Sequence, residues 1–392
     1  MRRVYLDSNA STPLLPEVFE AMRPYYLDQF GNASSIHHHG QHARAAVERA
    51  RESVARLLGC RAAEVVFTSG GTEADNLAVF GLAQSGDHVI TSQIEHHAVL
   101  NACKRLEQRG CEVTCLRVDA HGLIDPDDLR GALRPKTKLI SVMMANNETG
   151  VLQPVEEIGR IASQADVYFH TDAVQASGKV AIDVKKIGCD LLSISAHKFH
   201  GPQGMGALYV RRGTLIDPLF YGGNHERQRR AGTENLPGII GLGCAAEIAM
   251  RGFCDGSVEA IRALRDRLEA SLLEQIAEAG VNSGGVPRVP NTSNIYFDHI
   301  EGEAMVIALD LKGLAVSTGA ACSSGAIEPS HVLTAIGLAP ERARASIRFS
   351  VGKHNKDDDI DFALSVIPPT VARLRELSPT YSAKSPAASL SR

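Results

Sequence analysis

Residues 166–210 read DVYFHTDAVQASGKVAIDVKKIGCDLLSISAHKFHGPQGMGALYV, with three apolar β-rich runs at 166–171, 190–195 and 206–210. Parallel neighbours need a crossover connection of about a dozen residues or more. The linker AHKFHGPQGM (196–205) is too short for one, so the last two runs are expected as antiparallel neighbours, with Lys198 in the loop at their shared end. Outward from this stretch, EVVFTS (64–69), DHVITS (87–92), EVTCLRV (112–118) and KLISVMM (138–144) also read as strands. Helices are expected between them at 72–83, 97–109 and 154–165, the last begun by Pro154, a good first-turn residue. That alternation, from about residue 15 to 250, specifies an α/β fold: a mostly parallel sheet covered on both faces.

The pattern changes after residue 258. A long amphipathic helix (258–279) and a Gly/Pro-rich connection through Pro290 lead into mixed strands and helices, an α+β arrangement. The expected organisation is an N-terminal arm (1–14) packing with the smaller domain, a large cofactor-binding domain (15–258), a smaller C-terminal domain (259–378) and a small, polar, disordered tail (379–392).

With 392 residues, 44% of them hydrophobic, the chain can build a sizeable core. Its net charge of −4 lacks the basic excess that nucleic acid or an anionic membrane would favour. No apolar run reaches the roughly 18 residues of a membrane span, and no signal-like segment follows MRRVYLDSNAST, so a cytoplasmic protein is expected. The eight cysteines (60, 103, 111, 115, 189, 244, 254 and 322) are then expected as reduced thiols. Cys111 and Cys115 are expected on one face of a strand as buried small hydrophobes.

Ligands of open parallel sheets sit beyond the carboxyl ends of the strands. There stand Thr68-Ser69-Gly70-Gly71-Thr72, Glu95-His96-His97, Asn146-Asn147-Glu148, His170-Thr171-Asp172 and Ser195-Ala196-His197-Lys198. The glycine turn opening a helix suits a phosphate. Any one cluster alone would read as a cap or a structural histidine. Together, a lysine, a carboxylate and a phosphate turn on one sheet edge answer the needs of pyridoxal 5'-phosphate: a Schiff-base amine, a partner for the pyridinium and an anion site. In the second domain Cys322 stands in the small-residue run Ser317–Gly325, expected as a mobile loop displaying a nucleophile. Arg348, in the strand 345–350, could grip a carboxylate with its planar fork. The tract His37-His38-His39 lacks partners at ligand spacing, so no metal is expected. The run 225–230 is short enough to read as an anion contact or interface element rather than a nucleic-acid site.

These residues resemble the NifS/IscS-type (group I) cysteine desulfurases, fold type I pyridoxal phosphate enzymes of the class V aminotransferase-like family, over nearly the whole chain. The likeness rests on Tyr5-Leu6-Asp7, Asn9-Ala10-Ser11-Thr12, Phe67-Thr68-Ser69-Gly70, Thr72-Glu73, Glu95-His96, His197-Lys198, Cys322-Ser323 and Ser346-Ile347-Arg348-Phe349-Ser350. The stretches 145–150, 170–176 and 229–235 are most similar to the nitrogenase-associated branch. The resemblance implies conversion of L-cysteine to L-alanine, with sulfur passed to Cys322 as a persulfide and on to an iron–sulfur scaffold protein of the NifU/IscU kind. It implies Lys198 as the cofactor lysine, Asp172 at the pyridine nitrogen, Gln175 at the ring hydroxyl and His96 stacked on the ring. Gly71, Thr72, Ser195 and His197 would hold the phosphate, with Thr233 reaching in from the second subunit of a homodimer, and Asn147 and Arg348 would hold the substrate carboxylate. Departures are Ala33 for a usual Pro, Ala196 for a usual Gly, Ala320 for a usual Ser and Lys353 for a usual Arg. A selenocysteine lyase or another class V aminotransferase would share the cofactor residues but would not need the loop thiol.

Overall fold

The computed structural model describes residues 2–319, 329–378 and 381. Its strands are β1 (Val4–Tyr5), β2 (Val65–Thr68), β3 (His88–Ser92), β4 (Glu112–Leu116), β5 (Thr137–Ser141) and β6 (Tyr168–Asp172). They continue with β7 (Leu191–Ser195), β8 (Gly206–Val210), β9 (Ala279–Val281), β10 (Thr292–Phe297), β11 (Leu314–Ala315) and β12 (Ser346–Ser350). The large sheet has the order β2-β8-β7-β6-β5-β3-β4. Neighbours from β7 through β4 are parallel, and β8 runs antiparallel to both β7 and β2. The short linker 196–205 therefore acts as expected, and β2 regains the direction of the parallel strands, so its carboxyl end joins theirs.

Strand alternation sends successive side chains to opposite faces. Ala207 and Tyr209 join Val65, Phe67, Phe169, Leu192 and Ile194 in one buried cluster, whereas Leu208 and Val210 join Val66, Val89, Leu139 and Leu191 in another. The first face is covered by α1 (Pro16–Leu27), α2 (His38–Leu58) and the helix Leu236–Gly252. The second is covered by α3 (Gly71–Leu82) and α4 (His97–Gln108). Cys115 departs from expectation: it is exposed, because β4 is the edge strand, while the buried Cys111 precedes the strand. Cys254 is likewise exposed.

A second, three-stranded antiparallel sheet, β12-β10-β9, packs on the helices Ser257–Gln275 and Asp357–Leu377. The amino terminus crosses to this side: β1 pairs parallel with β11, and Val4 and Leu6 are buried beside Phe297 and Phe349. Among the described residues no single helix is long and apolar enough to cross a membrane.

One buried ion pair fastens α2 to the large sheet. Arg51 Nη1 donates to Val65 O at 2.9 Å and to Glu226 Oε2 at 2.7 Å, Nη2 donates to Glu226 Oε1 at 2.9 Å, and the Phe67 N–H donates to the same carboxylate at 2.9 Å. Both side chains are only 4% exposed. The pair holds Glu226, Arg227 and Gln228 at φ of 44°, 57° and 66°, a left-handed conformation costing roughly 1–2 kcal/mol per residue. Glu226→Gln would leave the buried Arg51 with only the half-exposed Glu48, 3.3 Å from its Nε, as a charge partner. Urea unfolding should show a loss of about 3–5 kcal/mol; a loss within about 0.5 kcal/mol would mean the pair is dispensable.

Candidate active site

The glycine turn forms because two glycines remove side chains at close approaches. Gly70 sits at φ 153°. A Cβ on Gly206 would meet the Gly70 backbone at 2.7 Å, so bare glycine at the start of β8 lets the turn lie against the strand. At Gly71 a Cβ would come within 2.7 Å of Val174. The first-turn amides of α3 point past the strand ends, as the free N–H groups of a helix start do. Glu73 steadies the turn: its carboxylate accepts from the Ser69 N–H at 2.8 Å and from Arg230 Nε at 2.9 Å.

That turn borders a cavity of about 290 Å³ at the carboxyl ends of the strands. Gly71, Thr72, His96, Asn147, Asp172, Gln175, Ser195, His197, Lys198 and Arg348 all line it. Residues from six separate stretches of sequence thus meet in one place. One expected site residue among those described does not. Thr233 is exposed and does not line the cavity. Cys322 lies outside the described residues. Among the lining residues to which sequence reasoning assigned no role are Asn9, Ala10 and Asp75.

Lys198 Nζ donates to Asn9 O at 2.6 Å and to Ala10 O at 2.9 Å, so the amino-terminal arm seats the amine. Asp172 lies below. Burial pushes its carboxyl up, and the Val174 N–H at 2.9 Å and the Lys198 charge pull it back. His96 accepts from the Ala98 N–H at its Nδ1 at 3.1 Å, and burial holds it down to about 4. At neutral pH it is therefore an uncharged ring with its proton on Nε2. His197 is lowered to about 4 for the same reason. Arg348 spans the far wall: Nη2 donates to Asp7 at 2.8 Å, Nη1 to Asn147 O at 2.9 Å, and the buried Nε has no hydrogen-bond partner among the described residues. The other described cysteines offer no rival nucleophile near the cavity. Burial pushes the Cys60 and Cys103 thiols up to about 12.

The donor set fits pyridoxal 5'-phosphate. A glycine cradle that any Cβ would fill faces the helix start, and a buried carboxylate, an amine and a guanidinium line the same cavity.

Comparison with known proteins gives concordant results. The aminotransferase class-V family matches residues 4–362. A cysteine desulfurase IscS of Dictyoglomus turgidum is 49% identical over 382 residues, covering 96% of this chain and 97% of the relative. One of Methanosarcina thermophila is 50% identical, covering 96% and 94%. Among solved structures, a NifS-like protein superposes with a TM-score of 0.87 at 36% identity, covering 95% and 100%. A structure titled SspA in complex with cysteine gives 0.80 at 38%, covering 90% and 99%.

Beneath Asp172, Glu95 is fully buried. Its Oε1 accepts from Ser92 Oγ at 2.5 Å and from the Met143 N–H at 2.9 Å, while Oε2 has no partner among the described residues. Burial raises this carboxyl to about 8, against roughly 4.3 when unfolded. The folded state holds the proton more tightly, so stability from this group is complete below the unfolded value and is lost as pH rises through 8. Glu95→Gln should show a smaller fall in Tm than wild type between about pH 6 and pH 8.5. Parallel Tm curves for the two proteins would refute this.

Proposed function

The chain belongs to the class-V aminotransferase family and is a pyridoxal-phosphate-dependent cysteine desulfurase acting on L-cysteine; from that premise we propose how its residues share the work. The observation that carries the proposal is the convergence of Lys198, Asp172, Arg348 and the turn 70–72 on one cavity. Pyridoxal phosphate, when bound, supplies an electron sink conjugated to the substrate carbon. Lys198 carries it, and as an amine released on the cavity floor moves protons to and from the substrate carbon. Asp172 faces the pyridine nitrogen, Gln175 the ring hydroxyl and neutral His96 the ring. Gly71, Thr72, Ser195 and His197 hold the phosphate. Arg348 and Asn147, which both line the cavity, take the substrate carboxylate.

The Cys322 thiolate then attacks the substrate sulfur. An S–S bond forms as the C–S bond breaks, the electron pair of the broken bond stays with carbon, and protonation there yields alanine. Cys322 is left as a persulfide. We assign the onward transfer to a NifU/IscU-like iron–sulfur scaffold protein, the nitrogenase-associated role included. Support comes from the IscS names of full-length relatives and from the stretches 145–150, 170–176 and 229–235.

A homodimer completes the reading, with Thr233 contacting the phosphate held by the partner copy. Its support is that Thr233 stands exposed while Arg230, in the same segment, is bonded to the phosphate turn through Glu73. Phe30, Ile36 and Tyr221 also expose 68%, 90% and 86% of their surface. We further propose the division into an arm (1–14), a large domain (15–258), a small domain (259–378) and a tail (379–392), supported by the grouping of β2–β8 in one sheet and β9, β10 and β12 in another. The seven described cysteines are free thiols, in keeping with a cytoplasmic location.

Cys322→Ala should keep the coloured cofactor and lose alanine formation from L-cysteine by at least about 100-fold. Sustained alanine and sulfide production would sink the assignment. Borohydride reduction followed by peptide mapping should label Lys198; a label on another lysine would overturn its role.

A further inference from the structure

Lys179 is 8% exposed and lies beside the cavity floor, yet the reaction as described gives it no task. Its Nζ donates to Gln175 Oε1 at 2.6 Å and to Asn9 Oδ1 at 3.1 Å. Both acceptors are neutral amides. The charged and titratable groups bearing on it among the described residues are Lys198, His197 and His200 from the β7–β8 connection, Arg348 from β12, and Lys353, which shares a second small cavity with it. All are basic, and burial together with Lys198 and Arg348 holds the amine well below its ordinary range. A neutral amine has two N–H bonds, and two acceptors face it.

The consequence falls on Gln175. An amide side chain has one oxygen and one nitrogen, so whichever group meets the oxygen decides where the nitrogen points. With Oε1 held by Lys179, Gln175 Nε2 is turned to Asn9 O at 2.9 Å, the same carbonyl that accepts from Lys198 Nζ at 2.6 Å. Lys179 and Gln175 are four residues apart, both in the turn that follows β6.

We propose that Lys179 is a positioning residue: by occupying the oxygen of Gln175 it fixes that amide with its N–H groups toward the Lys198 amine and the cofactor ring. The inference rests on the reading that Gln175 faces the ring hydroxyl. An N–H donor there stabilises the ionised oxygen and lowers the pH at which the cofactor bound on Lys198 loses its proton. A flipped amide would present oxygen to oxygen and raise that pH.

The test uses the full chain. Apo protein is titrated with pyridoxal phosphate by equilibrium dialysis, and the visible band of the loaded protein is followed against pH, for wild type, Lys179→Met, Lys179→Gln, Gln175→Ala and the double variant Lys179→Met/Gln175→Ala. Lys179→Met should raise the band's midpoint by about one pH unit and weaken cofactor binding roughly tenfold. Lys179→Gln, which keeps one donor, should return both toward wild type. Gln175→Ala should show a similar shift, and the double variant no further one, since the two act through one contact. A Lys179→Met protein with lowered Tm but unmoved midpoint and affinity, beside a shifted Gln175→Ala, would reduce Lys179 to a structural residue and overturn the proposal alone. A silent Gln175→Ala would overturn it together with the ring contact of Gln175.

Discussion

Asn9 is the constraint on which the geometry of the site depends. Its N–H donates to Ser350 Oγ at 2.9 Å, and its Nδ2 to Thr292 Oγ1 at 2.8 Å and Asn147 O at 3.2 Å. Its Oδ1 accepts from Lys179 and from Asn291 Nδ2, and its carbonyl from Gln175 and Lys198. A buried asparagine costs free energy unless its polar atoms are bonded, and here each one is. The partners come from β10, β12, the β5 and β6 strand ends and the β7–β8 connection. One residue of the arm therefore sets the distance between the small sheet and the floor of the large one. Because an amide offers fixed donor and acceptor directions, the arrangement tolerates little sliding of either sheet.

The cavity is also electrostatically sorted. Carboxyls collect on the floor: Asp75, Glu95 and Asp172 are all buried, and burial pushes each upward, Asp75 further so by the neighbouring Asp172 charge. Basic groups collect on the arm side, where burial together with the Lys198 and Arg348 charges holds the Lys179 amine well below its ordinary range. Buried ionisable groups of this kind are costly to stability and cluster where chemistry needs them.

Much of this was legible in the sequence because its causes are local. A ten-residue linker cannot cross a sheet, and β8 is antiparallel for that reason. Apolar runs of five or six residues locate the strands, and polar residues after them locate the cavity, since strand ends of a parallel sheet share an edge. The expected strands 112–118 and 138–144 overrun the observed ones by two and three residues, the second because Val142, Met143 and Met144 stay buried past the last ladder bond. Asn9, Asp7 and Lys179 were assigned no role for a different reason. Their partners lie more than a hundred residues away in most cases, and nothing in a short polar segment or an isolated lysine signals such contacts. Cys115 was misjudged because a two-residue repeat tells which face a side chain takes, not whether its strand lies at an edge.

Arg348 shows how the two levels meet. Its place on β12 follows from register, opposite Asn294, in a strand whose alternation is plain in the sequence. Its orientation does not: that comes from Asp7 and from the Asn147 carbonyl, two groups distant in sequence brought in by the arm and by the β5 strand end. With both terminal nitrogens committed, the guanidinium plane is fixed, and among the described residues the buried Nε has no partner. A side chain with about 2 kcal/mol of rotamer entropy is thus ordered by the fold itself. A ligand bound by such a side chain would not spend its binding energy on ordering the arginine.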